Sequence, residues 1–409
     1  MKIVVLKFGG TSVGTIEKIK KVSDIIIEHK KKKNKVIVVS SAMSGVTNDL
    51  IKKSKQISNN FIDSEYDVLV SSGEQVACSL IAGRLNHKGF KSRSWLGWQI
   101  PIFTNGPYTN SRIQQVNKNK LLRFLKEGGI PIITGFQGVN MNERVTTIGR
   151  GGSDASAIMI AKSFKAQRCI IYTDVEGVYT TDPNKLKKAK KIKVISYEEM
   201  LEMASLGAKV MQPVSIQDAR LNRINIEVKS SFIKKPGTLI TKRTNLSNNR
   251  IITGISSTHN DAKVTLVGVK DRPGVAASIF KPLSISSINV DMVVQNISPN
   301  GKETDLTFTI KAEDLNKTKK IIQENKSIKF KKVLFQKGVS KISIIGVGMI
   351  TTPGVTFRMF QALANKKINI QVISTSEIKI SVLINKKDAK KALITVSYTH
   401  LRAHETKAN

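Results

Sequence analysis

The chain has 409 residues, 40% hydrophobic and 24% charged, ordinary proportions for a globular protein with room for two or three cores. Its formal charge of +37 suggests a nucleic-acid partner, but 53 of its 67 basic residues are lysine and only 5% of its residues are aromatic. Base readers favour arginine and single-strand binders interleave aromatics, so the excess reads as solvated lysine faces, and no apolar run approaches membrane-spanning length.

The first expected strand, Ile3–Leu6, is too short for a signal-peptide core and runs into "KFGGTS" (7–12). Lys7 followed by unhindered amides at Gly9, Gly10, Thr11 and Ser12, with a helix over Thr15–His29 behind them, makes an anion site. The plainer alternative is a tight turn beside a surface lysine. A strand over Lys35–Ser40 leads into "SSAMSGVTNDL" (40–50), where Thr47 is a possible ligand. "VSSGEQ" (70–75) precedes a helix over Gln75–Asn86; Ser71 and Glu74 have capping-box spacing, and a partly buried Glu74 would equally suit a substrate ammonium group.

A helix over Asn117–Glu127 and a strand over Ile130–Thr134 precede "IGRGGSDASAIMIAKSF" (148–164). There Arg150 stands before two glycines, and Ser153 or Asp154 starts a helix over Ser153–Lys165. An arginine in that place clamps a carboxylate or phosphate bidentately, though a simple N-cap would explain Ser153 equally well. The strand Cys169–Thr173 opens "TDVEGVYTTDPN" (173–184), whose Asp174, Tyr179 and Asp182 could reach a ribose, a metal or a base. A strand over Ile224–Val228 closes the series. The strand–helix alternation implies a mainly parallel sheet with helices on both faces and ligands at the strands' carboxyl ends. Cys78 and Cys169, far apart, read as buried small hydrophobes in a reducing compartment.

Residues 241–262 are polar and turn-rich, a linker by composition. Beyond it an internal repeat begins: Pro273-Gly274-Val275 matches Pro353-Gly354-Val355 at an offset of 80, and Phe280/Phe360 and Asn289/Asn369 keep that offset. Two small βαββαβ domains are expected, over 263–335 and 336–396. No GxxxxGK[ST] loop or GxGxxG fingerprint is present, and the five histidines form no catalytic constellation. Oriented amides, one lysine, one arginine and several carboxylates suit phosphoryl transfer from a nucleotide to a small anionic acceptor. A carboxylate acceptor, with a pKa near ~4, needs no general base at neutral pH.

The stretches "KFGGTSVG", "SSAMSGVTN", "SSGEQ", "TTIGRGGSD", "YTDVEGVYTTDP" and "EMASLGAKVM", in this order, resemble the aspartate kinase family over nearly the whole chain. The resemblance implies an α/β fold: an αβα sandwich amino-acid kinase domain over 1–240, with a mainly parallel sheet, then two α+β ferredoxin-like ACT domains. It implies ATP and Mg²⁺ as cofactors, L-aspartate as acceptor and 4-phospho-L-aspartate as product, in a cytoplasmic homo-oligomer regulated by lysine, threonine or both. By motif, Lys7, Arg150 and Asp154 are catalytic, while Ser41, Thr47, Glu74, Arg150 and Ser153 hold aspartate. ATP would contact Lys7, Phe8, Gly9, Gly10, Thr173, Asp174, Tyr179, Asp182, Lys209 and Val210. Effector positions are Asp271, Val275, Asn289, Asp291 and Gln295, with Val355, Asn369 and Ile370 in the second copy; the metal ligands stay open. Two features depart from the family pattern. Asn184 replaces the usual arginine after Asp182-Pro183, with Lys185 or Lys187 as possible substitutes, and "SYTHLRAHETKAN" (397–409) reads as a disordered tail foreign to the rest of the chain. A kinase for glutamate or acetylglutamate, a non-catalytic amino-acid sensor and a charge-driven nucleic-acid binder are the competing readings.

Overall fold

A computed structural model describes residues 2–206, 210–242, 251–258, 260–297, 303–325 and 328–402. The chain divides into two compact units, Met1–Tyr179 with Lys190–Ser247, and Thr180–Ala189 with Asn248–Asn409.

In the first unit the chain runs β1 (Ile3–Phe8), α1 (Ile16–Lys31), β2 (Lys35–Ser40), α2 (Val46–Ile57), α3 (Asp63–His87) and β3 (Ser92–Trp95). It continues through β4 (Ile102–Asn105), β5 (Arg112–Val116), α4 (Asn119–Lys126), β6 (Ile130–Thr134), β7 (Gln137–Val139) and β8 (Val145–Thr147). Then come α5 (Gly152–Ser163), β9 (Arg168–Thr173), β10 (Val194–Ser196), α6 (Tyr197–Ser205), α7 (Pro213–Asn222), β11 (Ile226–Ser230) and β12 (Thr238–Thr241). Among the described residues the main sheet has eight strands in the order β10-β12-β11-β9-β1-β2-β6-β3, parallel except for the β11–β12 pair. The near-continuous burial of β1, β2 and β6 is what a parallel sheet covered on both faces requires. A smaller sheet, β5-β4-β7-β8, is an element the sequence did not announce, because its strands are three to five residues long. One core cluster holds Val4, Leu6 and Phe8 of β1, Val22 and Ile26 of α1, and Ile81 and Leu85 of α3.

β1 lies between β9 and β2, so the chain leaves it in opposite directions and a crevice opens at its carboxyl end. The strands and helices around that crevice are those expected, within a residue or two at most ends. The exception is "VSSGEQ", which is no turn: Ser71 and Glu74 lie inside the 25-residue α3. Ser71 and Ser72 donate back to the carbonyls of Val68 and Leu69, so their hydroxyls are satisfied within the helix. Gly73 is there for close approach, since a Cβ on it would lie 2.9 Å from Ala42 Cβ.

The second unit contains β13 (Gly254–Ser257), β14 (Asp261–Lys270), α8 (Val275–Ile285), β15 (Val290–Ile297), β16 (Glu303–Lys311) and α9 (Leu315–Glu324). It ends with β17 (Lys332–Ile345), α10 (Val355–Asn365), β18 (Val372–Thr375), β19 (Lys379–Asn385) and α11 (Ala389–Arg402). Both Pro-Gly turns start a helix as the repeat requires: Gly274 and Gly354 are N-caps at φ 86° and 83°. The two copies share one antiparallel sheet, β15-β16-β14-β17-β19-β18, with β13 also on β17. The 14-residue β17 joins them: residues 332–339 pair with β14, residues 339–345 with β19. β13 lies within the stretch read as a linker. The tail differs from expectation too, because α11 carries residues 397–402 on as helix and Ser397 is buried. Residues 403–409 lie outside the described residues. No described helix is long and apolar enough to cross a membrane.

Candidate active site

At the carboxyl ends of β1 and β2 is a cavity of about 680 Å³ lined by Lys7, Gly10, Ser41, Thr47, Glu74, Arg150, Ser153 and Asp154, among others. These eight come from four separate stretches of sequence. Lys7 sits in the centre of the sheet, paired in register with Val39 and Ile171, and is only 8% exposed. Its ammonium lies 2.6 Å from Asp154 Oδ1 in the first turn of α5, a pair in which both side chains are about nine-tenths buried.

The turn after β1 is narrow for a physical reason. A Cβ on Gly10 would stand 2.9 Å from the Ala42 carbonyl oxygen, so only glycine lets the turns after β1 and β2 close on each other. The Gly9 and Ser12 amides close the protein's own backbone, donating to Tyr172 O and Gly9 O at 3.1 and 2.9 Å. Gly10, not Gly9, therefore lines the cavity. Phe8 points into the core, stacked on Tyr172 at 4.9 Å.

The N-cap of α5 is Gly151 at φ 76°, not Ser153 or Asp154. Shifting the cap back two residues frees Ser153 and Asp154 from capping and turns them, with Arg150, toward the cavity at the positive end of the helix. Gly135 makes room: a Cβ on it would lie 2.7 Å from Ser153 Cβ.

Glu74 is the most strongly perturbed acid of the cavity. It is 3% exposed; Oε1 accepts the Ala42 amide at 3.1 Å, while Oε2 is buried with no hydrogen-bond partner among the described residues. Burial pushes its carboxyl up to about 7 against the lowering effect of the Ala42 amide. A buried oxygen with an open hydrogen-bonding direction, facing a cavity, suits a cationic ligand.

Other expected positions are distributed as follows. Thr173 and Asp174 stand at the end of β9, the Thr173 hydroxyl donating to Asp174 at 3.1 Å. Tyr179 forms an isolated bridge with Lys191, and Val210 is half-buried. Asp182 lies in the segment that belongs to the second unit, exposed and accepting the Asn184 amide at 2.9 Å. Lys209 falls outside the described residues. None of Thr173, Asp174, Tyr179, Asp182 and Val210 lines the 680 Å³ cavity. In the second unit Asn289 lines a 340 Å³ pocket with Phe280, Ile288 and Val293. Asp291 pairs with the buried Lys341, Gln295 is exposed on β15, and Val275 and Val355 open α8 and α10. Asp271 and Asn369 are exposed and Ile370 is half-buried. Tyr66, Thr109 and Thr147 line the main cavity without having been singled out. Thr147 was within reach, inside "TTIGRGGSD", whereas nothing in sequence marks Tyr66 or Thr109.

Comparison with known proteins matches the amino acid kinase family over residues 2–230 and the ACT domain over 264–325 and 342–398. An aspartokinase of Geobacillus stearothermophilus is 43% identical over 387 residues, 95% of this chain and 94% of that protein. One from Helicobacter pylori is 42% identical over 398 residues, covering 96% of this chain and 98% of that one. Among solved structures, E. coli aspartokinase III with aspartate and ADP (R-state) superposes with a TM-score of 0.81 at 25% identity, over 98% of this chain and 100% of that one. The same enzyme with lysine and aspartate (T-state) gives 0.79 at 25% identity, with the same coverage.

Proposed function

The chain belongs to the amino acid kinase family, as one of its aspartokinases, and we propose that the cavity at the end of β1 is where its acceptor and the transferring phosphoryl group meet. The reaction is transfer of the γ-phosphoryl of ATP to the side-chain carboxylate of L-aspartate, giving 4-phospho-L-aspartate and ADP. A carboxylate oxygen attacks phosphorus while the bond to the bridging oxygen breaks. The acceptor is already ionised at neutral pH, so the site needs no base to remove a proton. What it must supply is positioning and neutralisation of charge between two anions.

Lys7 carries that neutralisation. Its ammonium is fixed by Asp154, so little reorganisation is needed when charge develops on the transferring oxygens. The Gly10 turn and the start of α5 present backbone dipoles to the same space. Arg150 clamps an acceptor carboxylate, Glu74 receives its ammonium, and Ser41, Thr47 and Ser153 complete the hydrogen bonds. Thr173, Asp174, Tyr179, Lys209 and Val210 belong to the nucleotide's side.

Mg²⁺ fits a nucleotide-borne role: among the described residues no cluster of three potential ligands exists, and Mg²⁺ commonly takes one or two carboxylates with substrate phosphates. Asp174, exposed at the end of β9, is available to it, and the ion when bound neutralises phosphate charge. The ACT region senses lysine or threonine at the positions around Asn289, in a cytoplasmic homo-oligomer. E. coli aspartokinase III, solved with lysine, supports lysine as one effector.

The observation that carries this reading is the meeting of Lys7, Glu74, Arg150 and Asp154 on one cavity from three places in the chain. Trapping the acyl phosphate as a hydroxamate, with ATP and L-aspartate, L-glutamate or N-acetylglutamate in parallel, tests it. Only aspartate should give product; ATP turnover independent of the acceptor, or no turnover, would overturn it.

A further inference from the structure

Asp67 lies on α3 seven residues before Glu74, a spacing that puts both carboxyl groups on the same face of the helix. Glu74 faces the cavity; Asp67, completely buried, does not line it. The Asp67 carboxyl instead accepts four hydrogen-bond contacts from three donors on two residues that do. The Thr109 amide donates to both oxygens at 3.1 and 3.0 Å, the Thr147 amide to Oδ2 at 2.8 Å, and the Thr147 hydroxyl to Oδ1 at 2.6 Å. No ion pair involves Asp67 among the described residues, so these dipoles alone hold it.

The turn it holds needs holding. Thr109 has φ +66°, a region a β-branched residue seldom occupies unless its surroundings impose it. The same turn is tied again to β8, through the Ser111 amide donating to Thr147 O at 2.9 Å. It also leans on Gly149, where a Cβ would stand 2.9 Å from Asn110 Oδ1 and 3.3 Å from Thr109 O. Arg150 is the next residue. One buried carboxyl thus fastens a strained turn to the strand end from which the arginine projects.

We propose that Asp67 is a positioning residue for the amino-acid acceptor: it sets the rim formed by Thr109, Thr147 and Arg150, and through them acceptor affinity, without touching substrate. This rests on the cavity being the acceptor site. Loss of the carboxyl leaves three buried donors unpaired and lets the 106–111 turn relax away from β8. Thr173 and Asp174, at the end of β9 on the nucleotide's side, lie on another element.

Steady-state kinetics of the full chain separate this from a merely structural role. Asp67→Asn keeps shape but sets an amide NH₂ against backbone donors. It should raise the KM for aspartate by about tenfold or more while kcat stays within about threefold and the KM for ATP is unchanged. Should that variant not yield folded protein, Thr147→Val, which removes one of the four contacts at constant shape, should raise the aspartate KM about fivefold, and Thr147→Ser should restore it. A fall in kcat alone, an equal rise in both KM values, or Thr147→Val behaving as wild type would overturn the proposal while leaving the function standing. A wild-type chain that phosphorylates no aspartate would instead overturn the function itself.

Discussion

Glu74, as the proposed receiver of the acceptor's ammonium, should make aspartate binding depend on pH in a range where free aspartate itself does not titrate. Its carboxyl, pushed up to about 7 by burial, must be ionised to receive the substrate ammonium. With that value only about a tenth of the free enzyme is ionised at pH 6 and about nine-tenths at pH 8, so the aspartate KM should rise about tenfold between pH 8 and pH 6. The ATP KM should not follow. The same group leaves a mark on stability with a definite sign. A carboxyl raised from 4.5 to about 7 makes the folded chain hold more protons than the unfolded one between those values, so stability falls as pH rises through that window. The full difference is of order 3 kcal/mol. Glu74→Gln keeps the acceptor for the Ala42 amide and removes the charge. It should bind aspartate weakly at every pH, with a flat profile, and melt above wild type at pH 8 but with it at pH 5. The assay is aspartate KM at saturating ATP, at half-unit pH steps, beside thermal melts of both proteins. A wild-type KM that is level from pH 6 to 8, or a glutamine variant that keeps the slope, would refute the assignment.

Lys7→Ala should lower kcat by about a thousandfold, and it leaves the Asp154 carboxylate buried alone, at roughly 3–5 kcal/mol. Adding Asp154→Asn should restore most of the melting temperature and none of the turnover, which separates the catalytic role from the structural one. Gly73→Ala sets a helix-propensity gain of about 1 kcal/mol against overpacking of about 1–3 kcal/mol at Ala42 and Val46, so thermal melts should show a net loss. Glu74 is the next residue, and the aspartate KM should rise with it. Titration with lysine and threonine, singly and together, should inhibit wild type, and Asn289→Ala should shift the half-inhibiting concentration without changing uninhibited kcat; no response to either amino acid removes the regulatory role.

The glycine-rich turns were legible because their glycines answer local needs that sequence displays: the approach of β1 to β2 at Gly10 and the left-handed cap at Gly151. The same vocabulary misled at 70–75. Ser-x-x-Glu is a true capping box at Ser196 and Glu199, where a strand ends and a helix begins, with the Ser196 hydroxyl accepting the Glu199 amide at 3.2 Å. At Ser71 and Glu74 the identical spacing lies inside a helix begun eight residues earlier, and the glycine serves contact with another helix. Spacing alone does not say which. Asp67 was invisible for a different reason, since it stands ahead of the helix expected over Gln75–Asn86, in a stretch with no motif around it. Its partners are 42 and 80 residues away, brought to it by the small sheet whose strands are too short to announce themselves. The repeat appears in both ACT matches and in the two Pro-Gly helix caps, and its copies share one sheet through β17.

That last point bears on how the regulatory half could be taken apart. One rib, β17, is the central beam of both copies, its leading part belonging to the first and its trailing part to the second. Severing it would strip each copy of its inner neighbour and expose a raw edge where there had been a ladder. Neither copy is therefore a cassette to be lifted out or exchanged alone, and a twist imposed on one end of the beam meets, where its two parts join, the bulge at Gly338 (φ 73°).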